Sequence, residues 1–329
     1  MKKVAGYLGK AIALVLVAIS INFLLIQLMP GDPIVNILGE HEYFLLETKH
    51  PELLAEVRAQ YGLDGTIVEQ YFRFLQNTVT FRFGTSLSTG RRVIDVVLFR
   101  VRWTMLLALS SIVISALVGG ILGVIAGFRK GSKFDSILTF IFLLLETIPA
   151  NCLALIALLI FGFKLRWFPL GGMASGNVVG VARVFDTIYH MALPVIVLSL
   201  FRISTNFLMV KSFVSQIRDE EFITTAIAKG VPKKTLFGKH LMKSVVVPYA
   251  TLLCIQFGFI FSGSMLIEVV FSWRGMGTLI YEGVIKRDYP TVQLCFLIIS
   301  VCVIFFHFLA DVLAWKFDPR IKDGMQNEI

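Results

Sequence analysis

Charge is what this chain of 329 residues has least of: 16% of its residues are Asp, Glu, Lys or Arg, against about 25% in an average soluble domain. Together with 56% hydrophobic residues and a mean hydropathy of +0.79, this excludes a soluble globule and describes an integral membrane protein. The apolar residues fall in several long runs, so one membrane domain with a sizeable loop is simpler than two soluble domains. Cysteine is scarce too. Cys152, Cys254, Cys295 and Cys302 all lie inside apolar runs, with no C-x-x-C pair and no histidine at ligand spacing, and they read as small core residues without a redox role. The histidines His41, His50, His190, His240 and His307 are dispersed, which argues against a metal site. No His-Glu-x-x-His or Gly-x-Ser-x-Gly pattern occurs. Nor does G-x-x-x-x-G-K-[ST], the loop that cradles ATP phosphates; Gly230-Val231-Pro232-Lys233-Lys234-Thr235 lacks its second glycine. An enzyme therefore has little support. The formal net charge of +9 invites nucleic acid, but the basic residues sit between apolar spans without a base-stacking motif.

What remains is a pattern of spans and loop charge. Leu8 to Met29 is apolar and long enough to cross a bilayer; with no small-residue cleavage site after it, it reads as a retained first helix with a cytoplasmic N-terminus. Residues 30–99 carry six Lys or Arg against nine Asp or Glu and are expected outside, as a folded cap. Within them Ile67, Tyr71, Leu75 and Val79 repeat at i+4, which predicts an amphipathic helix. Further spans are expected over about Trp103 to Phe128, Ile137 to Phe163, His190 to Val210, Val245 to Phe271 and Val292 to Trp315. The turn Arg129-Lys130-Gly131-Ser132-Lys133 and the stretch 211–243, with seven basic residues against three acids, mark the inner side. The expectation is thus an all-α membrane protein of six transmembrane helices: a first helix at 1–29, an outer cap at 30–99, a five-helix core at 100–315 and a cytoplasmic tail at 316–329.

The longest polar interruption in the second half runs from Asp219 to Pro248. Asp219, Glu220 and Glu221 suit the positive end of a helix, Gly230 closes its body, and Pro232 suits the first turn of the next helix. Ile223 and Ile227 share one side at i, i+4, while Ala226, Ala228 and Gly230 leave little side-chain bulk, as a docking knob requires. Thr225-Ala226-Ile227-Ala228-Lys229-Gly230, with Pro248 eighteen residues beyond the glycine, resembles the coupling loop of inner-membrane permease subunits of ABC importers. The dipeptide, oligopeptide and nickel branch is the nearest match. The resemblance extends over nearly the whole chain: Pro30-Gly31-Asp32-Pro33, Tyr61-Gly62-Leu63-Asp64, Phe83-Gly84-Thr85-Ser86-Leu87, Thr89-Gly90-Arg91, Glu268-x-Val270-Phe271, Gly275-x-Gly277, Arg287-Asp288-Tyr289-Pro290 and Asp318-Pro319-Arg320.

That resemblance implies a permease paired with a homologous second permease, two ATPase subunits that bind ATP and Mg, and an extracytoplasmic substrate-binding protein, in a bacterial inner membrane. It places Phe222, Thr225, Ala226, Ala228, Lys229, Gly230 and Pro232 at the ATPase contact, and it leaves this chain without a cofactor of its own. The cargo it implies is a peptide, with nickel or a metal chelate as the alternative. Departures exist. Thr224-Thr225-Ala226 stands where the broader motif has Glu-Ala-Ala, and Ile227, Leu208 and Gln216 stand where the branch usually has arginine, arginine and glutamate. Ionic contacts at those three positions are not carried over, and the partner ATPase is expected to match this chain. Lys233, Lys234, Lys239 and Lys243 serve membrane topology as readily as a partner. An ion-coupled secondary transporter is the competing class, but it predicts inverted repeats, and none is evident between residues 1–163 and 164–329.

Intramembrane acids are costly and draw a functional reading. Glu268 and Asp311 fall near span ends and read as structural. Glu146, in mid-span just before Pro149, either faces the translocation path or pairs with a neighbouring subunit. In the first case Glu146→Gln changes the rate or the selectivity of transport measured in vesicles; no change in either places Glu146 off the path.

Overall fold

Lipid offers backbone amides no partner, so a chain crossing it must satisfy them within helices or a closed barrel. This one uses helices. The structure, a computed structural model, describes residues 2–28, 33–60, 64–176, 178–232 and 235–317, and the only β feature among them is one antiparallel bridge between Thr85 and Arg92. Most of the Pro-Gly-Asp-Pro motif (30–32), Tyr61-Gly62-Leu63, Lys233-Lys234 and Asp318-Pro319-Arg320, with nearly all of the 316–329 tail, lie outside the described residues.

Helix α1 (Lys2–Gln27) is followed by α2 (Pro33–Leu38), α3 (Glu40–Lys49), α4 (Pro51–Gln60) and α5 (Ile67–Val79). The predicted amphipathic helix is α5. Thr66 caps it: its side chain accepts from Glu69 N–H while the Glu69 carboxylate accepts from Thr66 N–H, the reciprocal arrangement that satisfies two orphan donors. α5 lies on α1 through a Tyr71 to Ser20 hydroxyl bond of 2.7 Å and a Phe74 ring stacked on Phe23, centroids 5.8 Å apart. Ile67 and Val79 remain exposed, because steps of four residues drift by about 40° each around a helix of 3.6 residues per turn. The packed stripe is therefore Tyr71, Phe74 and Leu75. Beside it Arg73 donates to Asp64, and that hydrogen bond holds the Asp64 carboxyl below its ordinary range.

The spanning helices differ from expectation in length and continuity. Long apolar helices are the Gly6–Leu25 part of α1, α6 (Val93–Phe128), α9 (Val181–Arg218) and α14 (Tyr289–Phe317). α6 starts ten residues before Trp103 because Val93 and Val97 are fully buried in the core, packing that the interspersed Asp95, Arg100 and Arg102 conceal from hydropathy. The expected third span is a bent pair, α7 (Lys133–Thr147) and α8 (Ala150–Ala157) continued by π-helical turns through Lys164, with 95° between its halves. Pro149 disfavours helical geometry at the preceding residue, and Ile148 is extended at φ −86°, ψ 121°. The expected fifth span is also interrupted. α11 (Met242–Gly258) has 17 residues, about 25 Å of helix, and turns at 259–264 separate it from the short α12 (Met265–Val270). The stretch around Gly275 and Gly277, between the expected fifth and sixth spans, opens α13 (Met276–Ile285).

α6 and α9 run side by side in the same direction. Gly119, Gly123 and Gly127, spaced by four, form the contact: an added Cβ would stand 2.8 Å from Ile203 O, 2.8 Å from Phe207 O and 2.9 Å from Lys211 O respectively. Close backbone approach of this kind supplies the dispersion that drives helix association where hydrophobicity gives none. Around this pair, one apolar cluster joins α1, α6, α13 and α14 through Ile19, Ala108, Ile112, Leu279 and Cys295, and a second joins α6, α8, α9 and α12 through Leu107, Ala154, Leu198 and Ile267. Gly123→Leu is expected to cost at least about 1–3 kcal/mol by overpacking and to lower the melting temperature of the detergent-solubilised protein, whereas Leu117→Ala, at a side chain 59% exposed, leaves it unchanged.

Candidate coupling segment and its anchorage

The polar segment after α9 folds as α10, Glu221–Ala228. Its start is fixed by its neighbours: Arg218 donates to Phe128 O at 3.1 Å, Lys130 pairs with Asp219 at 2.9 Å, and the Glu220 carbonyl accepts from Ile223 and Thr224 N–H. Its end is fixed by Gly230, whose φ of 74° lies in the left-handed region that glycine enters without Cβ strain. Val231 N–H thereby returns to Ala226 O at 3.1 Å. The onward turn begins with Pro232, whose carbonyl accepts from Leu236 N–H, and winds through π-helical Leu236–Leu241 into α11.

α10 is two-faced. Ile223, 1% exposed, and the half-buried Ala226 point inward at i, i+3 into a cluster with Val210, Val214 and Ile217 of α9, Leu236 and Leu241 of the turn, and Val245 of α11. Outward are Phe222, Thr225, Ala228, Lys229, Gly230 and Pro232, all exposed, with Phe222 42% exposed. Of the seven residues assigned to the ATPase contact, six share this open surface and Ala226 lies beneath it. Alanine suits that inner position because α10 must approach the ends of α9 and α11 closely. Lys233 and Lys234 fall outside the described residues, and the side chains of Ile227 and Lys239 are likewise not described.

Glu146 and Pro149 stand at the α7–α8 bend. Both are exposed, and Thr205 of α9 donates to the Glu146 carboxylate at 3.5 Å.

Two buried carboxylates act as latches. Glu268, fully buried, accepts from Thr104 Oγ1 at 2.6 Å, Ser264 Oγ at 3.1 Å, Gly277 N–H at 2.7 Å and Thr278 N–H at 3.2 Å. It sits at the N-terminal end of α13, where free amides and the helix dipole favour an anion. Gly275 and Gly277 leave the room: an added Cβ would fall 2.4 Å and 2.8 Å from its Oε2. Asp288, 1% exposed, likewise gathers Ser86 Oγ, Ser88 Oγ at 2.8 Å, Leu87 N–H at 3.1 Å and Ser88 N–H at 3.3 Å. The Glu-x-Val-Phe and Gly-x-Gly runs thus form one site. So do Phe83-Gly84-Thr85-Ser86-Leu87 and Arg287-Asp288-Tyr289-Pro290, two hundred residues apart in the chain.

Residues 119–323, from the glycine contact through α10 and both latch acids, match the family described as binding-protein-dependent transport system inner membrane component. The chain belongs to that family. Residues 3–108 match its N-terminal companion, described as binding-protein-dependent transport system membrane component, N-terminal; one match ends and the other begins within α6, so neither limit is a structural boundary. A Brucella abortus protein provisionally named as a peptide transport system permease is 30% identical over 322 residues, 98% of either chain. A di/tripeptide transport system permease protein of Pseudomonas aeruginosa is 28% identical over 318 residues, 92% of this chain and 93% of its own. A Sinorhizobium fredii protein provisionally named as a peptide ABC transporter permease is 29% identical over 300 residues, 91% of this chain and 92% of its own.

In this inner membrane component the latches and the α10 anchor are separable. Glu268→Ala strands Gly277 and Thr278 amides and the Thr104 and Ser264 hydroxyls, at about 1–3 kcal/mol for each donor left unsatisfied, and is expected to abolish stable accumulation in the membrane. Ile223→Ser loosens α10 alone: the expected result is normal accumulation with faster limited proteolysis between 219 and 235.

Proposed function

We propose that this chain is the transmembrane permease subunit of an ATP-driven ABC importer and that its cargo is a peptide, moved by alternating access. The observation that carries the reading is the pairing of full-length similarity to proteins named as peptide permeases with α10, a helix anchored by one buried face and open on the other. Phe222, Thr225, Ala228, Lys229, Gly230 and Pro232 form the surface offered to the ATPase, and Ala226 lets the helix lie close to its base. ATP and Mg belong to two ATPase subunits, since the sequence has no phosphate-cradling loop of its own. A homologous second permease completes the pathway as a heterodimer, and an extracytoplasmic binding protein delivers cargo.

In this arrangement the chain crosses a bacterial inner membrane six times, α7–α8 counting as one span and α11–α12 as another, with both termini and the 316–329 tail in the cytoplasm. Residues 30–99 form the outer cap, 100–315 the core, and 211–244 the coupling segment. Glu146 and Pro149 border the translocation path. ATP binding closes the ATPase pair; α10 follows, and the helices joined to it re-orient.

Mass spectrometry of proteins that co-purify stoichiometrically with the tagged chain under gentle detergent tests this. The expected set is a P-loop ATPase and a second permease of similar length. Isolation of the chain alone, still transporting in vesicles without ATP, overturns the proposal in favour of a secondary transporter.

A further inference from the structure

Near the middle of α9, within a helix long and apolar enough to cross the bilayer, stands Arg202. Its side chain is half-buried, and among the described residues it has neither an ion pair nor a hydrogen bond. None of its nitrogens is among the sealed, unsatisfied polar atoms, so the guanidinium still opens to the surface. An added Cβ on Gly263 would sit 3.0 Å from Arg202 Nη2, which places the guanidinium against the 259–264 break between α11 and α12, where Ser262 and Gly263 are exposed. One turn further along α9, Thr205 holds the Glu146 carboxylate at the other break, between α7 and α8. Two interrupted spans thus flank one stretch of α9: the α7–α8 break brings Glu146 to Thr205, and the 259–264 break lies against Arg202.

An arginine at this depth is costly unless it faces an aqueous cavity or meets a negative partner, and its planar fork of donors matches a carboxylate in bidentate fashion. We propose that Arg202 is a transient binding site for the carboxylate of the translocating substrate, at the 259–264 break. The proposal rests on the peptide reading above, because every unmodified peptide carries an α-carboxylate. Gly263 keeps the guanidinium reachable, since any side chain there must displace it. A carboxylate can also come from the second permease subunit, in which case Arg202 is an assembly contact instead.

The test uses the complete transporter, reconstituted with its binding protein in proteoliposomes. ATP-driven initial uptake is measured for a labelled tripeptide and for its C-terminal amide, at equal loading of the binding protein, and subunit stoichiometry is measured in parallel. With the site as proposed, Arg202→Gln assembles normally and lowers uptake of the free acid about tenfold, the scale of one lost charge-assisted hydrogen bond of about 1.5 kcal/mol or more. It leaves amide uptake unchanged. Arg202→Lys retains most of the acid's advantage, and Gly263→Val reproduces the selective loss. Equal slowing of acid and amide, unchanged uptake of both, or loss of the second permease from the Arg202→Gln complex each overturns the proposal, the last in favour of the subunit contact. Absence of peptide uptake by the unmodified transporter overturns the peptide reading itself.

Discussion

Helices in a bilayer gain nothing by hiding apolar surface from one another, so the contact between α6 and α9 is what the rest of this structure depends on. Three glycines spaced by four bring two backbones within van der Waals distance along about two turns of helix. Everything around that pair follows its geometry. α7 and α8 pack on α9, α13 and α14 pack on the N-terminal half of α6, and α10 folds back against the C-terminal ends of the pair. A side chain at any of the three glycines would separate the pair and move every element that uses it as a surface.

Buried carboxylates do the second part of the work, holding together segments that hydrophobic packing cannot align. Glu268 joins α6 to the start of α13 through Thr104, whose hydroxyl donates to the carboxylate and accepts from Met276 N–H at 2.7 Å. Asp288 joins the strand-like turn after α5 to the start of α14. In each case a single acid replaces water for several amides and hydroxyls at once, which is why it tolerates burial without a basic partner among the described residues.

Much of this was legible in the sequence, and the parts that were not have physical reasons. Hydropathy and loop charge located the apolar segments, and α5 and α10 fell where periodicity and capping residues placed them. The breaks at 148–149 and 259–264 were concealed because apolar residues continue across them: Pro149 is visible, but a proline within a span can equally sit in a continuous helix, as Pro194 does in α9. Ala226 was placed at the ATPase contact by resemblance; that it is half-buried against α9 and α11 was not legible, because spacing gives the angle between residues and not which side the protein lies on. Glu268 was recognised as structural, but its partner Thr104 lies 164 residues away along the chain, and no local pattern joins positions so far apart. Arg202 escaped notice because a single arginine lowers the hydropathy of so long an apolar run very little.

The glycine contact has a mechanical side. α6 and α9 together make a stiff strut, and α10 is bolted to its foot by Arg218 on Phe128 O and by Lys130 on Asp219. The helices that lean on the strut, α7–α8 and α11–α12, each have a knee. If the proposed ATPase contact tilts the foot, a rigid lever swings whose give is confined to those two knees, which places the gate of the proposed importer at their level, far from the contact itself.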